Sequence, residues 1–376
     1  MRVQITNFLT FGGSSTTDVR YVRGGVARNV AECVSKLGVK PFIISVVGQD
    51  LAGNSLLDHW KSLGLPILGI HRCNNIATPI VSNIFDSEGE LSAAVADVEA
   101  VEKALTAEWI NQFSSYIGSA PLLMVDANLH PLALEAACNL AKESNTPVWL
   151  EPVSVAKSVR ARSILKNVTF ISPNEAELIA MAEAVSFVDL SNSLKALEEH
   201  KNKMSIEAVY GLFKPAISIL LEEGVRFITL TLGSYGVLLC FKEISSFQRI
   251  PTTFSEFNQF TDFDLVGLRE RNELLLSSSQ NPVASNNFYV KCQKLGHNGI
   301  HLNCVHFPAL PVSVLSLTGA GDCFVGGTLA ALCGGRDIIG SIAFGVAVAK
   351  WSVNSELNVP SNFSPKLVSG KNFYVE

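Results

Sequence analysis

From about residue 24 onward, short apolar runs alternate with segments in which apolar residues recur at helical spacing. Apolar runs of this kind predict strands that are buried on both faces of a sheet. We expect strands at 41–47, 122–126, 148–151, 168–172 and 227–232, and helices at 26–37, 54–63, 131–143, 205–223, 321–333 and 337–352. The alternation predicts an α/β domain with a mostly parallel sheet between two helical layers, and ligands of such sheets bind at the C-terminal ends of the strands.

Two segments interrupt this alternation. Residues 78–96 are typical of a hairpin that turns at 86–89, which predicts either an extension of the sheet edge or a lid over the site. Residues 243–305 contain Ser- and Asn-rich stretches and few periodic apolar positions, which predicts a long, partly disordered surface insertion. We therefore expect residues 1–376 to form a single domain with a small β lid and one insertion.

The composition narrows the class of protein. The chain has 376 residues, of which 48% are hydrophobic, and its net charge of −5 argues against binding to nucleic acid. The eight cysteines form no CxxC pair, and the seven histidines show no HxH or HExxH spacing. We therefore expect reduced thiols in an intracellular, cytoplasmic protein without a transition-metal centre, with organellar targeting left open. No apolar run reaches the ~18 residues of a membrane span.

A small-residue turn opens a helix at 314–327. In Thr318-Gly319-Ala320-Gly321 the glycines allow backbone N–H groups to face one point, and the helix N-terminus adds partial positive charge there. Asp322 follows directly, and a carboxylate beside an anion site can accept a proton from an alcohol. The pattern favours phosphoryl transfer to a hydroxyl, although taken alone it fits a simple helix cap better.

Two further clusters lie near the beginning of the alternating region. Gly24 and Gly25 precede a helix in which Asn29 can bind hydroxyls as donor and as acceptor, but a structural turn is an equally good interpretation. The segment 48–53 is a strand-to-helix turn in which Asp50 can serve simply as a helix cap.

Two more clusters follow predicted strands in the middle of the chain. Asn174 and Glu177 are three residues apart at a helix start, where they can hold Mg²⁺ through water or form an ordinary capping pair. Thr231, Gly233 and Gly236 form a turn that fits contact with a nucleotide phosphate or ribose, or a plain hairpin.

The order and spacing of these five clusters resemble those of the ribokinase-like (PfkB-type) carbohydrate kinases over about residues 20–355, apart from the insertion. The resemblance implies a ribokinase-like three-layer α/β/α fold and an ATP- and Mg²⁺-dependent kinase in which Asp322 is the base that deprotonates a 5′-hydroxyl. It also implies an anion hole from the backbone of Gly319, Ala320 and Gly321, a nucleotide site at Thr231, Gly233, Gly236 and Thr318, a Mg²⁺ and phosphate site at Asn174 and Glu177, and a sugar site at Gly24, Gly25 and Asn29.

Within this family, segments 24–32, 124–128 and 151–154 are most similar to the pseudouridine kinases of eukaryotes, especially plants. This likeness implies phosphorylation of pseudouridine to pseudouridine 5′-phosphate. A kinase for ribose or for another nucleoside is the alternative within the family, and an inactive kinase fold that acts as a binding protein is the alternative outside it. By analogy with some relatives, a homodimer through the lid is also implied.

The chain departs from the family pattern at two places. Family members begin with a strand and a Gly-x-x-x-x-Asp segment that contacts sugar hydroxyls, whereas about 23 residues precede Gly24 here and Asp18 lies too close to the turn to replace that Asp. On this comparison we expect the 376-residue chain to bind ATP but to phosphorylate pseudouridine poorly. Ser316 stands where many members have an Asp that helps bind a monovalent cation, which leaves dependence on K⁺ open.

Overall fold

The computed structural model describes residues 2–6, 18–85, 91–97, 99–200, 203–242, 289–293 and 302–361. The strands in these ranges are β1 Arg2–Thr6, β2 Asp18–Val22, β3 Ser45–Gly48, β4 Ile70–Cys73, β5 Ile80–Phe85, β6 Leu91–Asp97, β7 Leu123–Asp126, β8 Val148–Glu151, β9 Phe170–Ile171, β10 Phe227–Thr231, β11 Val237–Lys242, β12 Tyr289–Gln293 and β13 Leu302–Phe307. The helices are α1 Val26–Lys36, α2 Leu51–Ser62, α3 Glu99–Ala104, α4 Ala107–Asn111, α5 Ser114–Ser119, α6 Pro131–Glu143, α7 Val155–Ser158, α8 Glu175–Ser186, α9 Ser191–Glu199, α10 Ile206–Glu222, α11 Ala320–Cys333 and α12 Ile338–Val353. None of the helices in these ranges is long and apolar enough to cross a membrane.

The main sheet has seven strands in the order β12-β13-β11-β10-β9-β8-β7. Strands β7 to β10 run parallel to one another, and β11, β13 and β12 continue the sheet with antiparallel pairs. Because β7 to β10 are parallel, their C-terminal ends lie along one edge of the sheet.

Helices cover both faces of this sheet, because side chains of successive strand residues point to opposite faces. Leu150, Ile171 and Ile228 belong to one apolar cluster with residues of α6, α8 and α10. Their strand neighbours Trp149, Phe170 and Phe227 belong to another cluster with residues of α1, α11 and α12. The three-layer α/β/α fold expected from the sequence is thereby confirmed.

A stack of aromatic rings crosses the second of these faces. Trp149 stacks on Phe170 with ring centroids 5.1 Å apart, and Phe170 stacks on Phe227 at 4.9 Å. The two contacts follow the strand register, in which these residues are direct neighbours on β8, β9 and β10. The stack adds specific packing to the burial of apolar area at the point where α11 lies on the sheet.

A four-stranded sheet in the order β2-β1-β5-β6 lies outside the main sheet, and we call it the lid. Its antiparallel pair β5–β6 spans the segment in which the sequence predicts a hairpin, whose turn residues 86–90 lie outside the described residues. The lid contains more than a hairpin, since β1 pairs with β2 and runs parallel to β5. Residues 2–6 are therefore part of the lid. Strands β3 and β4 form a separate parallel pair.

Two of the predicted boundaries need a substantial correction. The strand expected over 41–47 begins only at Ser45, and Pro41 at its predicted start has no N–H group to donate to a neighbouring strand. The insertion expected over 243–305 is too long at its C-terminal end, because β12 and β13 pair there with the main sheet and Val305 is buried in the core. Residues 243–288 and 294–301 of the predicted insertion lie outside the described residues.

Candidate active site

The ends of the parallel strands carry the polar residues of the site. Asp126 ends β7, Glu151 ends β8 and Thr231 ends β10. Asn174 follows β9 and forms an isolated parallel bridge with Thr231, whose N–H group donates to the Pro173 carbonyl at 2.9 Å. Residues predicted separately for the metal and the nucleotide therefore meet at the same edge of the sheet.

Helix α11 begins with a glycine that no other residue can replace without strain. Gly319 has a φ of +85°, and a Cβ atom there would lie 2.4 Å from the Asn358 carbonyl oxygen. Gly321, by contrast, faces open space. The first N–H groups of a helix have no acceptor within the helix. In this structure the Ala320 N–H donates weakly to the Leu317 carbonyl at 3.3 Å, so an anion bound there would share or replace that bond.

Asp322 in the first turn of α11 meets Asn29 of α1. Asn29 Nδ2 donates to Asp322 Oδ2 at 2.6 Å, which joins two clusters that are 293 residues apart in the sequence. Burial raises the pKa of the Asp322 carboxyl to about 6; the hydrogen bond from Asn29 and the charge of Arg28 lower it, and the charge of Asp126 raises it. A carboxylate with this pKa can accept a proton near neutral pH.

The turn at Gly24 and Gly25 is fixed against the end of β7. Gly25 has a φ of +104° and caps α1. The Ala27 N–H donates to Asp126 Oδ2 at 3.2 Å, and the Asn128 N–H donates to Asp126 Oδ1 at 2.9 Å. Burial raises the pKa of the Asp126 carboxyl. The structure therefore brings a second buried carboxylate into contact with the first turn of α1 and close enough to Asp322 for their charges to interact.

Sequence reasoning did not assign a role to Asp126, although a signal was present. An Asp directly after an apolar strand lies at the edge where ligands bind, and Leu122–Asp126 has this form.

Glu151 also ends an apolar strand, and sequence reasoning gave it no role either. Burial raises the pKa of its carboxyl well above the usual range, and the charges of Asp322 and Glu177 raise it further. Ser172 Oγ donates to Glu151 Oε2, and Trp149 Nε1 donates to Ser172 Oγ at 2.8 Å.

Asn174 and Glu177 form a capping box at the start of α8. The Glu177 N–H donates to Asn174 Oδ1 and the Asn174 N–H donates to Glu177 Oε2, both at 2.9 Å. The capping alternative considered for this pair is therefore present in the structure. Glu177 is buried, and burial raises the pKa of its carboxyl. Among the residues that the structure describes, no group of three or more His, Cys, Asp or Glu side chains is arranged to hold a metal ion.

The turn after β10 is tightly closed. Gly233–Tyr235 forms one turn of 3₁₀ helix, and the Leu232 N–H donates to the Gly236 carbonyl at 2.8 Å. Gly236 has a φ of +94°, and a Cβ atom there would lie 2.1 Å from the Phe307 carbonyl oxygen. The glycine at 236 is thus required by the approach of β13, and the turn presents its backbone beside Thr231.

The segment 48–53 has a structural role here. Asp50 Oδ1 accepts from the Gly53 N–H at 2.7 Å and from Thr78 Oγ1 at 2.7 Å, and Asp50 Oδ2 accepts from the Thr78 N–H at 2.6 Å. Asp50 therefore caps α2, as the simpler interpretation of the sequence had it. It also fixes the start of the chain segment that enters the lid.

Comparison with known proteins identifies the family. A family model described as the pfkB family carbohydrate kinase matches residues 12–210 and 255–362. The chain belongs to the pfkB family of carbohydrate kinases. It is accordingly an ATP-dependent kinase of sugars or nucleosides, and the clusters around Asp322, Asn29, Asn174 and Thr231 are the parts of this pfkB kinase that the structure brings together.

Two relatives of this pfkB kinase are both named pseudouridine kinase. The chain is 47% identical to a pseudouridine kinase of Arabidopsis thaliana over 353 residues, which cover 94% of this chain and 87% of the relative. It is 31% identical to a pseudouridine kinase of Escherichia coli over 183 residues, which cover 49% of this chain and 56% of the relative.

Solved structures share the fold at low sequence identity. A ribokinase of Arabidopsis thaliana, solved with ribose and ATP, matches with a TM-score of 0.66 and 16% identity, covering 98% of this chain and 94% of the ribokinase. A ribokinase of Thermotoga maritima matches with a TM-score of 0.63 and 19% identity, covering 98% and 95% of the two chains. These likenesses establish the ribokinase-like architecture of the pfkB kinase.

Proposed function

We propose that this kinase transfers the γ-phosphoryl group of ATP to the 5′-hydroxyl of pseudouridine. The choice of substrate is supported by the 47% identity to the Arabidopsis pseudouridine kinase over nearly the whole chain. The observation that carries the chemistry is the 2.6 Å hydrogen bond between Asn29 and Asp322, because it joins the glycine turn of α1 to the carboxylate beside the N-terminus of α11.

In this mechanism Asp322 accepts the proton of the 5′-hydroxyl. The hydroxyl oxygen forms a bond to the γ-phosphorus while the bond from that phosphorus to the β,γ-bridging oxygen breaks, and ADP leaves with the electron pair. The N–H groups of Gly319, Ala320 and Gly321 stabilise the negative charge on the transferred group, aided by the dipole of α11. Gly24, Gly25 and Asn29 position the sugar so that its hydroxyl meets Asp322.

The nucleotide binds at the turn that holds Thr231, Gly233 and Gly236, together with Thr318, which precedes α11 in the chain. The acidic groups at the strand ends favour a cation nearby through their negative charge, although no three of them form a direct ligand set among the described residues. Glu151 is flanked by the charges of Asp322 and Glu177, and this repulsion is relieved when a divalent cation is near. Glu177, with Asn174, would hold Mg²⁺ through water. Bound there, Mg²⁺ would neutralise phosphate charge during transfer.

Purified full-length protein with ATP and Mg²⁺ tests the proposal. We expect ADP release that depends on pseudouridine, and a product that carries one added phosphoryl group at the 5′-position by mass spectrometry and ³¹P NMR. Faster turnover of ribose or of another nucleoside would assign a different substrate to the same site. ATP binding without transfer to any of these acceptors would overturn the kinase mechanism and favour a binding protein.

We also propose that two copies associate through the lid. The strand register places Tyr21, Ser82 and Val95 in one row across β2, β1, β5 and β6, so these side chains leave the lid on the same face. Tyr21 is 67% exposed and Val95 is 71% exposed. An exposed aromatic and an exposed aliphatic side chain on one face of a small sheet are the kind of surface that a protein contact buries.

A further inference from the structure

Arg28 occupies the space between the glycine turn and Asn29. Its Nε–H group donates to the Gly24 carbonyl at 2.7 Å, and its Nη2 group donates to the Arg23 carbonyl at 2.9 Å and to Asn29 Oδ1. Its Nη1 group donates to Glu32 Oε2. One largely buried guanidinium, whose side chain is 12% exposed, thus contacts the turn, the sugar-site amide and a buried carboxylate.

The contact with Arg28 decides which way the Asn29 amide faces. An asparagine amide has an oxygen that accepts and a nitrogen that donates, and its oxygen can bond to Asp322 only while that carboxyl is protonated. A guanidinium has donors only, so the Asn29 atom facing Arg28 has to be the oxygen. The NH₂ group is then directed to Asp322, as the 2.6 Å distance shows.

The buried carboxylate of Glu32 forms an ion pair with Arg28 and fixes its guanidinium. Glu32 is 5% exposed. Its carboxylate oxygens also form an ion pair with Lys36 Nζ at 2.7 Å and lie 3.1 Å from His59 Nε2. The charge of Arg28 and the donors from Lys36 and His59 lower the pKa of the Glu32 carboxyl to about 2, against the effect of burial. Glu32 is therefore ionised across the working pH range, and a paired charge fixes the guanidinium.

We propose that Arg28 is a positioning residue for the transfer reaction: it holds the Asn29 amide so that its NH₂ group donates to Asp322, and it clamps the Gly24 turn beside that carboxylate. The inference rests on the proposed function, since it takes Asp322 as the base. It adds a residue to which sequence reasoning gave no role.

Arg28 acts on Asp322 in two ways under this proposal. Its charge favours the ionised carboxylate, and so does the hydrogen bond from the amide that it orients. Among the residues that the structure describes, the titratable and charged groups that face Asp322 from the elements packed around it are Asp126 on β7, Glu151 on β8, and Arg28 and Cys33 on α1. Among these, Arg28 is the cation, so its removal is expected to raise the pKa of Asp322.

The test compares Arg28→Met and Arg28→Lys with the control Lys36→Met in the full chain. Lys36→Met removes another ion pair to Glu32 on the same helix. Lys36 itself makes no contact with Asn29 or Asp322 among the hydrogen bonds of the described residues. A lysine keeps the charge but is a point donor that cannot span the carbonyls of the turn, Asn29 and Glu32 together. The two Arg28 variants therefore separate charge from orientation.

The first readout is independent of substrate. In protein labelled with ¹³C at the aspartate carboxyl, the signal missing from Asp322→Asn identifies Asp322, and its titration midpoint is expected at about 6 in the parent protein. Arg28→Met should raise this midpoint by about one pH unit, and Lys36→Met should leave it unchanged. An unchanged midpoint in Arg28→Met, or an equal rise in Lys36→Met, would overturn the proposal.

The second readout is turnover with pseudouridine. We expect kcat at pH 7 to fall by about tenfold in Arg28→Lys, with the KM for ATP unchanged. In an Asn29→Ala background the same substitution should cost much less, because the amide that Arg28 orients is gone. Additive losses in this cycle would mean that Arg28 only supports the fold. If the parent protein itself is inactive on pseudouridine, the proposed function fails, and the NMR titration still decides the role of Arg28.

Discussion

At the scale of single residues, the position of Asp322 explains why the pKa of its carboxyl is raised. It lies at the N-terminus of α11, where a negative charge is favoured, yet burial and the charge of Asp126 oppose ionisation. The donor on Asn29 and the charge of Arg28 offset part of this effect. The result is a carboxylate with a pKa about 2 units above that of an ordinary aspartate.

This pKa predicts an acid limb in the rate profile. A base that must be ionised loses activity as the pH falls through its pKa, so kcat/KM should decline about tenfold per unit below a pH of about 6. The profile should be measured with pseudouridine at saturating ATP and Mg²⁺. A flat profile down to pH 4.5 would show that Asp322 ionises like a free aspartate or is not the base.

Replacing Asp322 with Asn should separate catalysis from stability. Loss of the general base should lower kcat by about 10²–10⁴-fold, with ATP affinity unchanged. Because the folded-state pKa of Asp322 is raised, its contribution to stability is lost as pH rises through about 6, so Asp322→Asn should melt at an equal or higher temperature at pH 8.

Asp337 supplies the matched control for this substitution. Its Oδ1 caps the next helix by accepting from the Gly340 N–H at 2.7 Å, and an asparagine can make the same cap. Asp337→Asn should leave both kcat and the melting temperature near the parent values. Turnover of Asp322→Asn within a few-fold of the parent would mean that Asp322, too, is only a cap.

Residues inside a motif could be found from the sequence, whereas residues that act across motifs could not. Asp322 follows a glycine turn and Asn29 follows a glycine pair, so each was visible in a short window. The role of Arg28 depends on the carbonyls of a turn, on a neighbouring amide and on a buried glutamate at once. Asp126 ends an apolar strand, which is a signal within a short window, but its contact with the Ala27 N–H, 99 residues away in the chain, depends on the placement of β7 beside α1.

At the scale of elements, the start of α11 depends on one glycine more than on the other. Gly319→Ala would force a side chain into a left-handed conformation and against Asn358, whereas Gly321→Ala meets open space. We expect Gly319→Ala to lower the melting temperature by several degrees and to abolish most activity, since α11 has to shift. Gly321→Ala should melt like the parent, and equal melting of both variants would contradict this account.

The insertion predicted over residues 243–305 belongs to the same scale. Its Ser- and Asn-rich composition predicts a surface segment, but that pattern does not reveal that β12 and β13 return to the sheet, because Asn303 and His306 interrupt the apolar residues of Leu302–Phe307. The main sheet depends on β13, whose residues Val305 and Phe307 are buried.

Replacing residues 250–285 with a short Gly/Ser linker should therefore leave a folded, ATP-binding protein, since closing a long loop has a modest entropy cost. A matched deletion that extends to 307 removes β13 and should not fold. Circular dichroism and ATP binding by calorimetry compare the two. Insoluble product from the shorter replacement would show that this segment packs into the core.

At the scale of the whole molecule, the order of parallel strands brings distant motifs to one edge. Short apolar runs separated by helices made this architecture predictable, because a buried parallel sheet needs strands of that composition. The lid was less predictable. A hairpin can be read from its turn and its two strands, but β1 joins it by pairing with β5 about 80 positions later in the chain, and no local pattern encodes that pairing.

The lid also carries the prediction about assembly. Tyr21 and Val95 share a face and are largely exposed, and a stable dimer commonly buries about 800 Å² on each partner, more than these two side chains supply alone. We expect the rest of the buried area on each copy to come from the lid surface around these two side chains, so that the parent protein sediments as a dimer. Val95→Glu should sediment as a monomer, because a charge inside the contact would be desolvated. Val188→Glu, at a residue 50% exposed in the loop between α8 and α9, is the control and should remain dimeric. A parent protein that sediments as a monomer at micromolar concentration, or a Val95→Glu variant that remains dimeric, would place the contact elsewhere or remove it.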